Sequence, residues 1–452
     1  MHEPQSPAAT RRLKLDVCVA HSPELDAHAV LMAIRALDAG DRDVAARGYR
    51  ELQATRFLHP DSWSSLAALA IALDDVEGAR RHATRAVGLA RDHADAWVNL
   101  GVACWHAGLR REGAQATAQA LSLAPALEAA AMNYSLMLQS AGELPRAHAV
   151  LGDAVRRSPD SLRMHEAAAS TARLLGDAAS VRLHGLAALR AWRRTARADA
   201  GIAENAHVEA APNGHDDMLL AMRETCMRLD AAGIAHQLIG GVVLGIARQG
   251  DPFDGDKDID IALESSADRA MLDRLFADGY RPIRVPEPHA TAARVQCMGF
   301  VHSASGIGVD LFFMHRHGNR MRQSIAWPDA LLYEYPVFAS STFRWRDRAW
   351  SVQAPLHDYL ASNYGSDWRS PWREVGDGRR FDKRWFDTQI SCPGLVADCV
   401  PRAVNLVALR LVAALRQAQW QKALALCDQI LAREHLDEVE RVRRHLLAAG
   451  IR

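Results

Sequence analysis

Apolar residues in the first half of the chain recur at helical spacing, and the whole pattern repeats about every 34 residues. Trp63 and Trp97 are separated by one such period, and Pro125 and Pro159 end successive units. Such a period predicts paired helices that stack on their neighbours, because one pair alone leaves its apolar face exposed. Two ladders of small residues keep the same spacing: Ala45, Ala79, Gly113 and Ala147 form one, and Ala86, Ala120 and Ala154 form the other.

The unit at residues 94–125 resembles the consensus of the tetratricopeptide repeat (TPR). Its matching positions are Trp97, Leu100, Gly101, Gly113, Ala120 and Pro125. The resemblance implies an all-α TPR solenoid of about four or five units across residues 24–195, with degenerate first and last units. TPR arrays usually present a concave groove to a protein partner, and they do not by themselves imply catalysis. The alternative is an Ala-rich helical bundle without true repeats.

The second half of the chain mixes helical and strand patterns. Residues 196–216 lose the repeat and gather Ala, Asn, Pro and Gly, which is typical of a helix end and a linker. Helices are predicted in DMLLAMRETCMRLDAAG, VVLGIARQG and ADRAMLDRLFADGY, and strands in AHQLIGG, DIDIAL, ARVQCMGFVHS and IGVDLFFMH. The pattern therefore predicts an α/β or α+β domain over residues 217–390. Residues 400–452 are helical again and form either a terminal repeat or a simple helical cap.

Composition narrows the class of protein. A chain of 452 residues fits two or three domains. A formal net charge of zero argues against a DNA-binding or membrane-surface protein. Seven scattered cysteines without a CxxC pair predict reduced thiols in a cytoplasmic protein. Membrane spans need ~20 consecutive apolar residues. No run in the sequence approaches that length, so none is expected.

Two carboxylates stand on alternate positions of an apolar run. Asp258 and Asp260 alternate with isoleucines, so a strand would project both acids from one face. Like charges held this close repel unless a cation lies between them. The pair therefore suits divalent-metal and phosphate chemistry, and the preceding Gly240-Gly241 can let a ligand approach the backbone. The alternative is an amphipathic edge strand whose acids face solvent.

Residues 217–375 resemble the LicD family, which includes the fukutin-type enzymes. Three motifs stand in the family's order. The first runs from the glycines to the acids: Gly241, Leu244, Gly245, Arg248, Gly250, Asp256, Asp258, Ile259, Asp260 and Ile261. The second is GVDLF, which contains Asp310, and the third is a tail of Tyr359, Leu360, Tyr364, Gly365, Trp368 and Pro371. The chain departs from the family where Gly255 and Lys257 interrupt its usual run of acids.

The resemblance implies a nucleotidyltransferase-like fold. It also implies transfer of a phosphorylated alcohol, such as choline phosphate or ribitol phosphate, from a CDP-activated donor to a glycan acceptor. Asp258 and Asp260 would hold one or two Mg²⁺ or Mn²⁺ ions, and Asp310 would complete the metal site or act as base on the acceptor hydroxyl. The residues expected to bind phosphate are Gly240, Gly241, Gly245 and Arg248.

Three functions stay open at this point. The first is this Mg²⁺-dependent transferase, in which the TPR half recruits a protein partner or grips the acceptor. The second is a nucleotidyltransferase that attaches a nucleotide from an NTP to a small molecule, a protein or RNA. The third is a non-catalytic TPR scaffold with a decayed transferase domain, for which Lys257 is the indication in the motif.

Single residues also have plainer interpretations. Asp310 could be a satisfied buried acid, and Arg248 could be a helix-surface residue. Between residues 344 and 386, arginines alternate with aromatic residues, a mixture that can bind single-stranded nucleic acid or sugar rings. The expectation for that stretch is a folded surface over core aromatics.

Overall fold

In the computed structural model the chain divides into two units, Met1–Leu175 and Gly176–Arg452. The described residues are 14–20, 22, 30, 32–33, 35–36, 41–53, 57–195, 214–253, 256–283, 296–325, 330–375, 378–383 and 390–451. The predicted linker at 196–216 lies almost wholly outside them, as do Trp385 and Phe386 of the aromatic stretch.

The first unit is a stack of paired helices. They are α1 (Arg42–Gln53), α2 (Pro60–Ala72), α3 (Val76–Leu89), α4 (Ala94–His106), α5 (Arg110–Leu123), α6 (Glu128–Ser140), α7 (Leu144–Arg157) and α8 (Leu162–Leu174). Helix α2 packs on α3, α4 on α5 and α6 on α7, and each pair packs on the next. Leu66, Val98 and Leu151 are fully buried between them. The predicted TPR-like helical solenoid is confirmed for this part of the chain.

The repeat is visible in the backbone as well as in the sequence. Helices α2, α4, α6 and α8 begin at positions 60, 94, 128 and 162, each one sequence period after the last. The turn inside each pair contains a residue of left-handed conformation, with φ angles of 65° at Asp74, 82° at Gly108 and 80° at Gly142. Because the same turn recurs at the same spacing, each pair leaves the turn in the same direction and the pairs stack regularly.

Small residues allow close contact between the helices of a pair. Gly101 of α4 faces Gly113 of α5, and a Cβ on Gly113 would lie 2.9 Å from the carbonyl oxygen of Gly101. The same Cβ would lie 3.0 Å from the amide nitrogen of Trp105. A larger side chain would therefore push the two helices apart, which explains the small-residue ladder seen in the sequence.

The second unit contains a mixed sheet. Its strands are β1 (His236–Ile239), β2 (Asp258–Glu264), β3 (Tyr280–Pro282), β4 (Cys297–His302), β5 (Gly308–His317), β6 (Arg320–Ile325), β7 (Leu331–Pro336), β8 (Ala339–Trp345) and β9 (Arg348–Ala354). The order is β3-β4-β5-β2-β1-β9-β8, and β6 and β7 continue from β5. β2 pairs in parallel with β5, and β1 pairs in parallel with β9. β10 (Trp372–Glu374) and β11 (Arg380–Asp382) form a separate hairpin.

The helices of this unit are α9 (Ala178–Thr195), α10 (His215–Ala231), α11 (Gly240–Gln249), α12 (Arg269–Leu275), α13 (Leu356–Tyr364), α14 (Val400–Arg416), α15 (Trp420–Leu431) and α16 (Asp437–Ala448). Helix α9 packs on α14 and α16. Arg182 of α9 pairs with Glu434 and donates a hydrogen bond from Nε to Asn405 Oδ1 at 3.0 Å. The last helix assigned to the predicted repeat array therefore packs with the C-terminal helices. The domain boundary at residue 195 stays a prediction.

The mixture of strands and helices predicted for the second half is confirmed. Strands β1, β2, β4 and β5 fall where the apolar patterns predicted strands. Strands β6, β8 and β9 were missed, because arginines and serines interrupt their apolar pattern. β7 was missed as well. The nucleotidyltransferase-like fold remains a prediction. Among the described residues, no helix has the length and apolar character needed to span a membrane.

The first unit is expected to lose stability in mild acid because of His82. Its ring stacks on Trp63, with centroids 5.6 Å apart, and its Nε2 lies 3.2 Å from the Tyr49 hydroxyl. Burial, with the nearby Arg81, lowers the pKa of His82 to about 4. Since an unfolded histidine takes up its proton near pH 6.5, protonation favours the unfolded state between these values.

We therefore expect the Tm to fall as the pH is lowered from about 6.5 to about 4. His82→Gln should make this fall shallower, and the exposed His317→Gln serves as the control with an unchanged profile. Tm would be measured by circular dichroism across that range. Parallel pH profiles for His82→Gln and the wild type would contradict the assignment.

Candidate active site

Three aspartates meet where β2 and β5 run side by side. Asp260 is the register partner of Asp310, and Asp258 is the partner of Gly308. In a parallel pair, register partners project from the same face, and Asp258 shares that face because it is two residues from Asp260. The structure therefore brings together the three aspartates that the sequence singled out.

Each aspartate lies against a glycine. A Cβ on Gly308 would lie 3.1 Å from Asp258 Cβ, and a Cβ on Gly299 would lie 3.0 Å from Asp310 Oδ1. The side chain of Asp260 occupies the place where a Cβ of Gly240 would stand. These contacts fix where the carboxylates can lie, because the space for each depends on the missing side chain of its neighbour.

The start of α11 faces Asp260. Gly240 is its first residue and has a φ of 70°, and the N–H of Gly241 donates a hydrogen bond to the Asp260 carboxylate. The N–H of Gly240 donates to the Tyr359 hydroxyl at 3.0 Å. The amides in the first turn of a helix have no partner within the helix, so this end of α11 stabilises negative charge. Tyr359 was interpreted as part of a family tail motif, and the structure shows it orienting the glycine turn.

The pKa of each of the three carboxyl groups is raised, by burial in all three and also by repulsion from neighbouring carboxylates at Asp260 and Asp310. Burial, followed by repulsion from Asp258, raises the pKa of Asp310 to about 6. The pKa of Asp260 lies well above its usual value, mainly through burial and then through Asp258, Asp310 and Asp256. Burial also raises the pKa of Asp258, against the attraction of Lys257. Ionising the whole set is therefore unfavourable unless positive charge is added between the carboxylates.

The donor chemistry fits a hard divalent cation. All the candidate ligands are carboxylate oxygens, which suit Mg²⁺ or Mn²⁺ better than zinc. As the side chains stand in the described residues, no group of three or more His, Cys, Asp or Glu is arranged around a metal position. The aspartates therefore fit a divalent cation by the type of their donor atoms and by their charge. Mg²⁺ remains a prediction.

Two of the predicted phosphate-binding residues make packing contacts in this structure. Arg248 donates from Nε to the carbonyl oxygen of Trp368 at 2.7 Å, and its guanidinium lies 5.6 Å from the Phe253 ring centroid. A Cβ on Gly245 would lie 2.9 Å from the amide nitrogen of Phe253. Both residues therefore hold the chain after α11 in place. Gly240 and Gly241 are the members of the set that lie beside the aspartates.

Lys257, an interruption in the family's acidic run, supplies positive charge beside Asp258 and lowers the pKa of that carboxyl against the effect of burial. The pKa of Lys422 on α15 is lowered by burial, then by Arg410 of α14 and by Lys257. No sequence signal indicated the interaction of Lys257 with Lys422, because the two are separated by more than a third of the chain.

The aromatic residues of the stretch from 344 to 386 lie mainly in the core. Trp345, Trp350 and Trp368 are buried, with exposed fractions of 6%, 2% and 3%. Trp372 is exposed. The buried rings cannot stack on bases or sugars, so the interpretation as a folded surface over core aromatics fits the described part of this stretch.

Comparisons with known proteins concern the repeat architecture. No family model matches the chain. No curated protein matches it. Among solved structures, MamA is 18% identical, with 36% of this chain and 95% of MamA covered and a TM-score of 0.30. PilF of Pseudomonas aeruginosa is 14% identical, and the match covers 36% of this chain and 78% of PilF with a TM-score of 0.31. A TPR protein of Thermus thermophilus is 16% identical, and the match covers 37% of this chain and 88% of that protein with a TM-score of 0.29. At these TM-scores the repeat assignment rests on the chain's own sequence period and helix pairs.

Gly240→Ala is expected to destabilise the second unit and to displace Asp260. The left-handed backbone alone costs a residue with Cβ roughly 1–2 kcal/mol, and the new methyl group would also overlap the carboxylate. Gly250→Ala is the matched control, since it has a φ of 89° at the other end of α11 and nothing within 4 Å of its Cβ. Urea unfolding would be followed by tryptophan fluorescence. Equal losses in the two variants would show that Asp260 does not occupy this space.

Proposed function

We propose that the chain is a Mg²⁺-dependent transferase that moves a phosphorylated alcohol from a CDP-activated donor to a glycan acceptor. The observation that supports this best is the meeting of Asp258, Asp260 and Asp310 on one face of the sheet, next to the glycine turn that begins α11. The LicD resemblance supplies the donor and acceptor classes. The repeats supply a surface for a protein partner.

The chain's own residues suit the electrostatics of this reaction. The carboxylates, with Lys257 directly before β2, give a site with both signs of charge. A diphosphate donor is bound by cations and by amides at a helix N-terminus. A divalent ion held by the aspartates would neutralise charge on the phosphate oxygens.

Asp310 is the candidate general base. With a pKa of about 6 it is mostly ionised at neutral pH and still basic enough to accept a proton. In the reaction, the acceptor hydroxyl oxygen forms a bond to the phosphorus of the phosphorylated alcohol. The bond from that phosphorus to CMP breaks, CMP leaves with the electron pair, and the hydroxyl proton passes to Asp310.

The first experiment is CMP release by the purified chain with MgCl₂, a panel of CDP-choline, CDP-glycerol and CDP-ribitol, and a crude cell-surface glycan fraction. Asp258→Asn combined with Asp260→Asn is expected to reduce CMP release at least a hundredfold, because the charge that would hold the cation is gone. The matched control is the exposed Asp278→Asn, which should release CMP at the wild-type rate. Unchanged CMP release by the double variant would contradict the assignment of Asp258 and Asp260 to the active site.

Cation binding can be measured without turnover. Millimolar MgCl₂ or MnCl₂ should raise the Tm of the wild type and of Asp278→Asn, because a ligand that binds only the folded state stabilises it. The double variant should show no such rise. An absence of any rise in the wild type would remove the metal from the proposal. Pyrophosphate release from NTPs in place of CMP release would indicate the nucleotidyltransferase, and neither product would favour the scaffold.

A further inference from the structure

Residues 14–20 lie along the first unit as an extended segment. Three alternate residues of this segment are each bound through both main-chain groups by a single side chain. The N–H of Asp16 donates to Asn133 Oδ1 and its carbonyl accepts from Asn133 Nδ2, both at 2.8 Å. Cys18 is bound in the same way by Asn99, at 2.9 and 2.8 Å.

The third contact completes a regular ladder. The N–H of Ala20 donates to Ser65 Oγ, and the Ser65 hydroxyl donates to the Ala20 carbonyl, both at 3.0 Å. Ser65, Asn99 and Asn133 are the sixth residues of α2, α4 and α6, so they stand at the same position in successive repeats. Each repeat therefore binds the next alternate residue of an extended strand, and the strand runs from the third of these repeats back to the first.

The chemistry of the ladder is that of a peptide site. An asparagine side chain carries one carbonyl and one NH₂ group, so it pairs with a residue's main chain much as a neighbouring strand does. With the segment in place, Asn99, Asn133 and Ser65 are fully buried. Asn99 Nδ2 also donates to the carbonyl and hydroxyl oxygens of Ser64, but Asn99 Oδ1 and the amide group of Asn133 are paired by the segment. Buried polar groups are unfavourable unless a hydrogen-bonding partner is present, so helix packing alone does not explain these.

Side chains add a sequence preference to this main-chain recognition. The Asp16 carboxylate pairs with Arg163 of α8 at 2.6 Å, and Leu15 is buried with an exposed fraction of 8%. The sixth residue of α8 is Ala167, so the ladder stops there and the charged contact takes its place. The preferred segment thus has an apolar residue, then an acid, with small or apolar residues after it.

We propose that this ladder is a binding site for an extended segment of a partner protein with an acid at the position of Asp16, and that residues 14–20 occupy it within the free chain until the partner's segment replaces them. Main-chain hydrogen bonds do not depend on side-chain identity, so a second segment of this pattern meets the same ladder. The exchange is independent of the proposed transferase reaction, and its test involves no turnover.

The test uses the full chain and a fluorescein-labelled peptide of residues 12–22 with serine at position 18. Asp16→Pro combined with Cys18→Pro removes two of the N–H groups that the asparagines bind and leaves the groove unaltered. This variant should bind the peptide at least tenfold more tightly than the wild type, whose own segment competes at a high effective concentration. Lys14→Ala, an exposed change in the same segment, should bind as the wild type does.

Variants of the groove separate recognition from simple packing. In the proline background, Asn99→Ala or Asn133→Ala should weaken peptide binding at least tenfold with helical content unchanged by circular dichroism. Arg163→Glu should weaken binding a few-fold, and a peptide with lysine at the position of Asp16 should restore it. Binding that is the same in the proline variant and the wild type, or that ignores both asparagines, would overturn the proposal.

A second measurement tests the proposal on the wild-type chain, so that it does not depend on the folding of the proline variant. Hydrogen exchange of the wild-type chain reports the amides of residues 14–20 directly. Millimolar peptide should raise the exchange of Asp16 and Cys18 at least tenfold, because the segment leaves the ladder. Exchange that does not change at saturating peptide would mean that the segment is a permanent part of the repeat unit, and the proposal would fail.

Discussion

Negative charge gathered on one face of the sheet is the constraint on which the second unit depends. Asp258, Asp260 and Asp310 are brought onto that face by the parallel pairing of β2 and β5, and loss of hydration raises the pKa of each. A sheet selected for stability alone would carry apolar residues there, because like charges held close together and partly removed from water are unfavourable. The amide of Gly241 at the start of α11 and the charge of Lys257 partly offset this effect. Such strongly perturbed carboxyl groups are typical of functional sites.

The first unit likewise contains polar side chains in positions where apolar ones would be more stable, but there they are uncharged. Asn99 and Asn133 are buried amides in helices whose other buried residues are mainly apolar. Both bind the main chain of residues 14–20, a segment that is distant in sequence, and Asn99 also donates to Ser64. In both units, polar groups placed where apolar ones would be more stable mark the surfaces at which a ligand or partner is proposed to act.

The candidate site was predictable to the extent that its signals are local or belong to a recognised motif. The alternation of acids and isoleucines placed Asp258 and Asp260 on one face of a strand, and the LicD resemblance pointed to Asp310. The role of Tyr359 was missed, since its hydroxyl meets Gly240 from a distant part of the sequence. Arg248 matched the motif, yet it contacts Trp368 and Phe253, because a motif match does not fix the direction of a side chain.

The sequence by itself determined the repeat period, the paired helices and the position of the acidic strand, because each follows from the periodicity of neighbouring residues. Only the tertiary structure decided that β2 runs beside β5, that glycines make room for the three carboxylates, and that Ser65, Asn99 and Asn133 bind the segment at residues 14–20. These contacts join residues that are distant in the chain, and strand register and helix stacking set them through the packing of the whole unit.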